Sequence, residues 1–444
     1  MEGDVGGTEE LEDPRDGRSQ PIWPGFSRRA FLGSIGGVAV GAGALAAGIK
    51  LSSNDAPVTG GTFRDATEPF YGSGAQAGIT TTPQSDTYFA ALDLTTEKRS
   101  EVVELLRTWT DAAANLTAGR TAAPLSARES AVEPDSGEAI DLGPARLTIN
   151  LGFGPGLFEK DGSDRYGLRA RRPAALVDLP HFPGDQLIAQ KTGGDLTVQA
   201  CADDPQVAFH AVRQLARMAD GIAEIRWVQT GFNETPASSG TQRNLMGFKD
   251  GTINPTTGAQ QQEFLRVGTE GPMWMRNGTY LVARRIRIAL EHWDTKSLSV
   301  QEQVIGRHKV SGAPLGQSGE FDPLDLTKRD AGGNSVIPID AHVRLAAPQT
   351  NNGQMILRRV YSYNDGVDTF TERWPPWKQA LGYDAGLLFC AYQRDPRKGF
   401  ISIFKNLSLN DALNQFTTHT GSVVAALPPA APGAGHFIGE GLFV

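Results

Sequence analysis

The sequence predicts an α+β protein built from two ferredoxin-like domains. Apolar segments that alternate with period 2 predict strands, and segments with helical spacing predict helices between them. The resulting order of strands and helices occurs once in each half of the chain, as in ferredoxin-like folds. The length of 444 residues suffices for two domains, and 39% hydrophobic with 21% charged residues is typical of globular proteins.

The first half carries the clearest pattern. Strands are predicted at 87–94, 146–153, 196–202 and 223–230, and helices at 96–118 and 205–218. Asp203 and Asp204 directly precede the second helix, where short polar side chains accept hydrogen bonds from free backbone N–H groups. A segment rich in Pro, Ser and Glu, residues 122–141, predicts a loop.

The second half repeats this order with longer interruptions. Strands are predicted at 280–290, 356–363 and 387–393, and helices at 298–307 and 400–409. The loop at 311–338 is long for a compact domain, and loops of that size are often functional or cover a site. The predicted division is a leader at 1–58, an N-terminal domain at 59–240 and a C-terminal domain at 241–444.

The leader contains an export signature. Ser27-Arg28-Arg29-Ala30-Phe31-Leu32 stands directly before an apolar stretch rich in Gly and Ala, residues 33–48. A paired arginine before a weakly hydrophobic segment is typical of a twin-arginine signal. The alternative is a short membrane anchor, but the stretch is shorter than the roughly 20 residues of a spanning helix. The sequence therefore predicts an exported, extracytoplasmic protein that crosses the membrane already folded.

Charge and cysteine content exclude several classes. The net charge of −8 argues against a broad nucleic-acid surface. Cys201 and Cys390 each lie in an apolar run, which favours buried thiols over a disulfide. The sequence contains no Cys-x-x-Cys-His, so it excludes a haem attached through thioethers.

Three segments contain side chains suited to chemistry, although each also has a purely structural explanation. His342 lies in a short apolar segment, whereas His308 has basic neighbours that suit anionic groups better than iron. Asp250-Gly251 taken alone predicts a hairpin turn. Period-2 alternation places Arg358 and Arg359 on opposite faces of a strand, so one of them can point into a site, and which one stays open.

Together these segments resemble the dye-decolourising peroxidase family, over nearly the whole chain from residue 68 onward. The leader is similar to those of its exported branch, which includes iron-transport-associated peroxidases, also called deferrochelatases. The resemblance is carried, in this order, by Phe70-Tyr71-Gly72, Gln76-Ala77-Gly78-Ile79, Gly247-Phe248-Lys249-Asp250-Gly251-Thr252, Gly306-Arg307-His308-Lys309, Asp340-Ala341-His342-Val343-Arg344-Leu345, Ile356-Leu357-Arg358-Arg359 and Gly386-Leu387-Leu388-Phe389.

The resemblance implies a dimeric α/β-barrel type of fold, with one non-covalent haem b and one iron per chain in the C-terminal domain. It implies that His342 is the ligand of the iron, that Asp250 is the distal acid–base group and that Arg358 is the distal arginine. The other residues that it implies line the haem edge (Gly251, Thr252, Ile253), contact a propionate (Arg307), form the distal wall (Leu387, Phe389) or accept the second ring proton of His342 (Asp384).

These residue types fit the chemistry of peroxide cleavage. A carboxylate can carry a proton from one peroxide oxygen to the other, and a permanently charged guanidinium can stabilise the developing negative charge. Free aspartate ionises near pH 3.9 and histidine near 6.5, so an aspartate base predicts an acidic optimum. Bulky donors cannot enter a closed pocket, and Tyr361, Tyr363, Trp374 and Trp377 are candidate electron carriers, although packing is the simpler explanation for each.

The predicted function is a haem peroxidase that reduces hydrogen peroxide and oxidises bulky aromatic or other one-electron donors. The expected partners are peroxide, a reducing substrate and the twin-arginine machinery, with a homo-oligomer and iron-uptake proteins as further candidates and no nucleic acid. One alternative is a protein that handles haem or releases its iron during iron uptake. A second is a structural or oligomer-forming module without haem.

Overall fold

The computed structural model describes residues 64–126, 132–234, 240–371 and 379–444. The leader with its paired arginines, Trp374 and Trp377 lie outside these residues. The described residues all belong to one unit, Thr59–Val444. Within them, no helix is long and apolar enough to cross a membrane.

The described chain contains eight strands and eight α-helices. The strands are β1 (Asp86–Leu94), β2 (Thr148–Phe153), β3 (Leu196–Ala202), β4 (Ala223–Phe232), β5 (Thr279–Ile288), β6 (Leu357–Thr371), β7 (Gln379–Gln393) and β8 (Thr417–Leu427). The helices are α1 (Arg99–Thr117), α2 (Pro205–Met218), α3 (Gly258–Phe264), α4 (Leu290–Asp294), α5 (Leu298–Ile305), α6 (His342–Ala346), α7 (Phe400–Asn410) and α8 (Glu440–Phe443).

The strands form one closed barrel in the order β1-β3-β2-β8-β5-β7-β6-β4. Each half contributes four neighbouring strands, β4-β1-β3-β2 and β8-β5-β7-β6, so both halves have the same plan. The halves join through one residue pair on each side, Phe153 with Ala426 and Phe232 with Ser362. The predicted α+β fold with two ferredoxin-like halves is therefore confirmed.

Helix capping and apolar patterning explain the elements of the first half. Asp204 accepts hydrogen bonds from the N–H groups of Gln206 and Val207, and proline occupies the first turn of α2. Trp109 of α1 is buried and donates a hydrogen bond to the carbonyl of Leu215 over 2.7 Å, which joins α1 to α2. These two helices pack on the sheet and contribute to a large apolar core that continues into the C-terminal half.

A loop of the N-terminal half also reaches across to the C-terminal half. The N–H groups of Gln186 and Ile188 donate to the carbonyls of His419 and Thr420 on β8, over 3.0 and 2.9 Å. The loop therefore lies along β8 in the manner of an additional strand, and its side chains reach the face of β8 and β5 that carries the site described next.

Candidate active site

A large cavity lies on the helix-covered face of the C-terminal half. Its empty space, including the open mouth, is about 1510 Å³. Strands β5, β7 and β8 and helices α5, α6 and α7 contribute to its walls. Most of the lining is apolar, which is typical of a site that holds a large flat organic group. The apolar lining includes Ile286, Ile288, Leu387, Phe389, Ile403 and Leu407.

His342, the first residue of α6, presents one ring nitrogen to this cavity. Its Nδ1 donates a hydrogen bond to Oδ2 of Asp411 over 2.6 Å. The buried carboxylate of Asp411 is itself fixed, because its Oδ1 accepts the backbone N–H of Leu413 over 2.8 Å. With Nδ1 engaged, the lone pair of Nε2 is available as a metal ligand. The side chain remains 28% exposed, in the cavity wall.

The groups around His342 also change the pKa of its imidazole. Burial alone lowers the pKa of its imidazole, but the carboxylate of Asp411 outweighs burial and raises the pKa above its usual value. Arg358 and Asp250 also act on this pKa, in opposite directions, because both face the same cavity. Asp411 therefore increases the basicity of the ring, and a more basic imidazole is a stronger donor to iron.

Asp250 and Arg358 form an ion pair on another part of the cavity wall. Oδ1 of Asp250 accepts a hydrogen bond from Nη1 of Arg358 over 3.1 Å, and Oδ2 accepts one from the amide of Asn244 over 3.3 Å. The chain turns at 244–247 rather than at Asp250, since the N–H of Gly247 bonds to the carbonyl of Asn244. The hairpin turn that Asp250-Gly251 predicts in isolation is therefore wrong.

The two neighbouring arginines of β6 point to opposite faces of the sheet. Asn254 pairs with the backbone N–H and carbonyl of Arg358, over 3.0 Å each, and holds that residue at the cavity. Arg359 is buried inside the barrel, where it donates to the carbonyl of Thr81 over 2.7 Å and to the side chain of Gln84. Of the two arginines, Arg358 is therefore the one that lines the cavity.

The remaining predicted site residues also line the cavity. Arg307 is buried, and its Nη1 donates to the carbonyls of Gly312 and Glu320 over 2.7 and 3.0 Å. Burial, followed by the charge of Arg358, lowers the pKa of Arg307 to about 10. A bound anion would relieve this cost of burying the guanidinium. The others along the same wall are Gly251, Thr252, Ile253, Leu387 and Phe389.

Other sequence-based expectations need correction. Asp384 does not reach His342; it pairs with Arg285 over 2.8 Å, and the strand alternation of β5 directs Arg285 into the barrel. Tyr361 and Tyr363 are buried in the barrel wall rather than at the surface, which supports packing as their role. Cys201 and Cys390 are free and buried, as expected.

Sequence reasoning missed Asp411, Asn244 and His419. Asp411 is 69 positions away from His342 in the chain, so no local pattern could connect them. Asn244 lies six positions before Asp250, in a segment whose turn was misplaced. His419 lies on β8, a strand that the hydrophobic pattern did not predict because it begins with the polar run Thr417-Thr418-His419-Thr420.

The donor set fits iron carried by haem. Among the described residues, no three His, Cys, Asp or Glu side chains converge as a metal centre. His342 supplies one neutral nitrogen at an apolar cavity, which is what a porphyrin-bound iron requires of the protein. The Asp250–Arg358 pair faces the same space, and Arg307 offers a positive charge for a carboxylate of the porphyrin.

Comparison with known families agrees with this geometry. Residues 76–233 match the model of the N-terminal part of Dyp-type peroxidases, and residues 241–431 match the model of the C-terminal part. The matched C-terminal part contains the helices and strands that line the cavity.

Several known proteins are similar to the chain over most of their length. A dye-decolorizing peroxidase from Thermobifida fusca is 38% identical, over 94% of this chain and 97% of its own. A deferrochelatase from Escherichia coli is 33% identical, over 94% and 96%. The structure of DtpA from Streptomyces lividans, described as an oxyferrous complex mixed with water, shares 40% identity and a TM-score of 0.77, over 86% and 99%. The chain therefore belongs to the Dyp-type peroxidase family of haem-dependent enzymes.

Proposed function

We propose that His342 holds a non-covalent haem b in the C-terminal half, while Asp250 and Arg358, which face the same cavity, act on hydrogen peroxide. The single observation that carries these roles is the pairing of Asp250 with Arg358 in the cavity that His342 lines. When bound, haem supplies the redox chemistry, accepting two oxidising equivalents from peroxide and passing them to two one-electron donors.

Non-covalent binding is supported by the positions of the two thiols. Cys201 lies on β3 and Cys390 lies on β7 with its side chain in the buried barrel cluster, and neither lines the cavity. The donors available to the porphyrin are then His342 for the iron and Arg307 for a propionate, with one haem and one iron per chain.

Asp250 is placed to move the peroxide proton. Its carboxylate is held from two sides, by Arg358 on Oδ1 and by Asn244 on Oδ2, so both oxygens have fixed positions. An ionised Asp250 can accept a proton from one peroxide oxygen and deliver it to the other oxygen, which leaves as water when the O–O bond breaks. The bound haem would supply the two electrons for this cleavage. The water leaves without a net change in the protonation of Asp250.

Arg358 stabilises the charge that develops while the O–O bond breaks. A guanidinium carries a positive charge and several N–H donors in fixed directions. One of these donates to Asp250 and another to the carbonyl of Ile253 over 3.4 Å, which orients the plane of the guanidinium. The arginine therefore acts as a preorganised donor and not as a proton carrier.

The test is the rate of reaction of the haem-loaded protein with peroxide, followed by stopped flow, and its steady-state oxidation of a bulky dye. Asp250→Asn should lower the rate constant for peroxide by about 10²–10⁴-fold. Arg358→Leu should lower it by about 10²–10³-fold. Both variants should keep a Soret band like that of the wild type.

The matched control is Arg359→Lys, because Arg359 is the sequence neighbour on the opposite face of β6. It should leave the peroxide rate within a few-fold of the wild type. If Asp250→Asn retains the full rate with haem bound, or if Arg359→Lys costs as much as Arg358→Leu, the proposed roles are wrong.

A second function, release of iron from haem, is supported by the deferrochelatases among the relatives. The same cavity would bind the haem in both cases. The discriminating measurement is anaerobic incubation of the haem-loaded protein with a reductant and an iron chelator. Intact protoporphyrin IX as the product would support iron release, whereas unchanged haem would exclude it.

The export of the chain is proposed from the sequence alone. Arg28 and Arg29, followed by an apolar stretch, support passage through the twin-arginine machinery to an extracytoplasmic location. Replacing both residues with lysine should retain the protein in the cytoplasm of the producing cell, as measured by fractionation. Extracytoplasmic recovery of that variant would contradict the proposal. Self-association and iron-uptake partners stay predictions.

A further inference from the structure

Two histidines line the cavity, and only one of them has a proposed role. His342 starts α6, and His419 lies on β8, next to Ile286 of β5 in the strand pairing. Either imidazole could in principle donate a nitrogen lone pair to a haem iron in this space. Their hydrogen-bond partners differ in kind, and this difference decides which nitrogen each one presents.

The tautomer of His419 follows from its arginine partner. Its Nδ1 lies 3.0 Å from Nε of Arg284. A guanidinium can only donate hydrogen bonds, so Nδ1 must be the acceptor and the ring proton must be on Nε2. The ring of Phe404, with its centroid 4.5 Å away, packs against the imidazole and restricts its rotation.

Arg284 is fixed by several groups, of which Asp185, Ser422 and Phe182 lie outside the cavity lining. It pairs with the carboxylate of Asp185, and both side chains are 0% exposed. Nη1 donates to the hydroxyl of Ser422 over 3.1 Å. The rings of Phe182, Phe400 and Phe404 lie 5.3 to 5.9 Å from the guanidinium carbon. The guanidinium therefore has one orientation, with Nε directed at His419.

Asp185 arrives from the loop of the N-terminal half that lies along β8. The backbone N–H of Gln186 donates to the carbonyl of His419 over 3.0 Å. Asp185 directly precedes Gln186 and is therefore held close to the strand that carries the histidine. A buried ion pair contributes little net stability, because the desolvation of both ions opposes their attraction. Its position behind a cavity histidine suggests a role in specificity instead.

The hydrogen-bond partners of the two histidines therefore favour opposite tautomers. Asp411 can only accept a hydrogen bond, so Nδ1 of His342 keeps its proton and donates, which leaves the Nε2 lone pair for a metal. Arg284 can only donate, so it occupies the Nδ1 lone pair of His419 and leaves an Nε2–H group. A protonated nitrogen has no lone pair for iron.

We propose that the Asp185–Arg284–His419 relay determines which cavity histidine can bind the haem iron, by keeping His419 as a neutral N–H donor. Asp185 and Arg284 are positioning residues that act through His419. This inference rests on the proposed function in one respect, the assignment of His342 as the iron ligand.

The first test reads the tautomers directly. Histidine labelled with ¹⁵N is incorporated into the full chain, and two-bond ¹H–¹⁵N correlations are recorded for the protein alone and loaded with diamagnetic zinc protoporphyrin. His419→Gln identifies the signals of His419. We expect the Nε2–H tautomer for His419 in both samples. An Nδ1–H tautomer or a doubly protonated ring would overturn the proposal.

The second test removes the relay without leaving a buried charge unpaired. Asp185→Asn with Arg284→Met takes away both charges together, and His419 should then lose its single tautomer and show a mixture. The control is Asp384→Asn with Arg285→Met, which removes the arginine at the adjacent position of β5 on its other face, where it pairs with Asp384 and the partly exposed Asp365. This control should leave the His419 signals unchanged. An unchanged tautomer after loss of Arg284 would contradict the relay.

The third test concerns the iron itself and is read by electron paramagnetic resonance and resonance Raman spectroscopy of the ferric and ferrous protein. In His342→Ala supplied with haem, the spectra should be the same with and without the further change His419→Gln. A histidine-ligated iron that disappears with His419→Gln would overturn the proposal. If the wild type itself lacks a histidine-ligated iron, the proposed function fails, while the tautomer result stands independently.

Discussion

The two halves of the barrel share one plan but use the space under their helices differently. In the N-terminal half, long amphipathic helices α1 and α2 fill that space with large side chains, including the buried Trp109 and Leu105. In the C-terminal half, α5 and α6 have only eight and five residues, and the space remains an open cavity. The same fold therefore serves as a packed scaffold on one side and as a site on the other.

The strands show the same division at the level of single residues. On β5 and β6, two arginines stand side by side, Arg284 with Arg285 and Arg358 with Arg359. In each pair, alternation sends the first arginine to the cavity face and the second into the barrel. Each pair of neighbouring arginines thus places one charge on the cavity face of the sheet and one inside the barrel.

The largest effect on stability is expected from a leucine in the packed half. Leu105 of α1 is 1% exposed, whereas Leu407 of α7 is 9% exposed and lines the cavity. Leu105→Ala should lower the free energy of unfolding by about 2–5 kcal/mol, because it opens a hole in a close-packed core. Leu407→Ala should cost clearly less in the protein without haem. Denaturant unfolding of both variants measures this, and equal losses would contradict the contrast between the halves.

A smaller effect is expected from the partner of His342. Asp411→Asn keeps the size of the side chain but removes the charge that orients and strengthens the imidazole. Haem affinity should fall by about 10–100-fold, as measured by competition with apomyoglobin. Asp384→Asn is the control, since Asp384 pairs with Arg285 and not with His342. Equal losses in the two variants would contradict the assignment of Asp411.

The smallest effect is a pH dependence confined to the N-terminal half. Burial raises the pKa of Glu138, but the hydrogen bond from Ser136 and the nearby His210 and Arg213 outweigh it and lower the pKa to about 2. A depressed pKa adds stability at neutral pH that is lost as the pH falls from about 4.5, where the unfolded chain takes up the proton, towards 2.

Glu138→Gln should therefore destabilise the protein by about 1 kcal/mol at pH 7, and the difference from the wild type should shrink below pH 4.5. Thermal unfolding at several pH values measures this difference. The Soret band at neutral pH should not change, because Glu138 lies outside the cavity. If the stability difference between Glu138→Gln and the wild type grows as the pH falls, the predicted direction of the pH dependence is wrong.

Local signals predicted the first half of the fold well. Strand β3 and helix α2 have the predicted limits, because an apolar run, a capping aspartate and a proline in the first turn all act over a few residues. The N–H partners of Asp204 were likewise foreseeable. Strand β8 was not predicted, because its first four residues are polar and interrupt the apolar pattern.

The site was predictable only in part. The resemblance to a family brought His342, Asp250 and Arg358 together, and the structure places all three at one cavity. Their supporting residues depend on long-range pairing, as between Asp411 and His342, and no periodicity encodes such contacts. The sequence also did not predict that β6 and β7 extend to 15 residues each. The added residues of each strand form backbone pairs with those of the other strand, which is again a contact between separate segments.

The central claim is that the cavity of the C-terminal half binds haem through His342, and haem titration of the purified chain tests it most directly. The wild type should bind one haem per chain with a Soret band and ferrous spectrum of histidine-ligated iron, while His342→Ala should fail to retain haem on gel filtration. Circular dichroism should show that the variant is folded. Retention of a wild-type Soret band by His342→Ala, or a wild type that ignores added haem, would contradict the account.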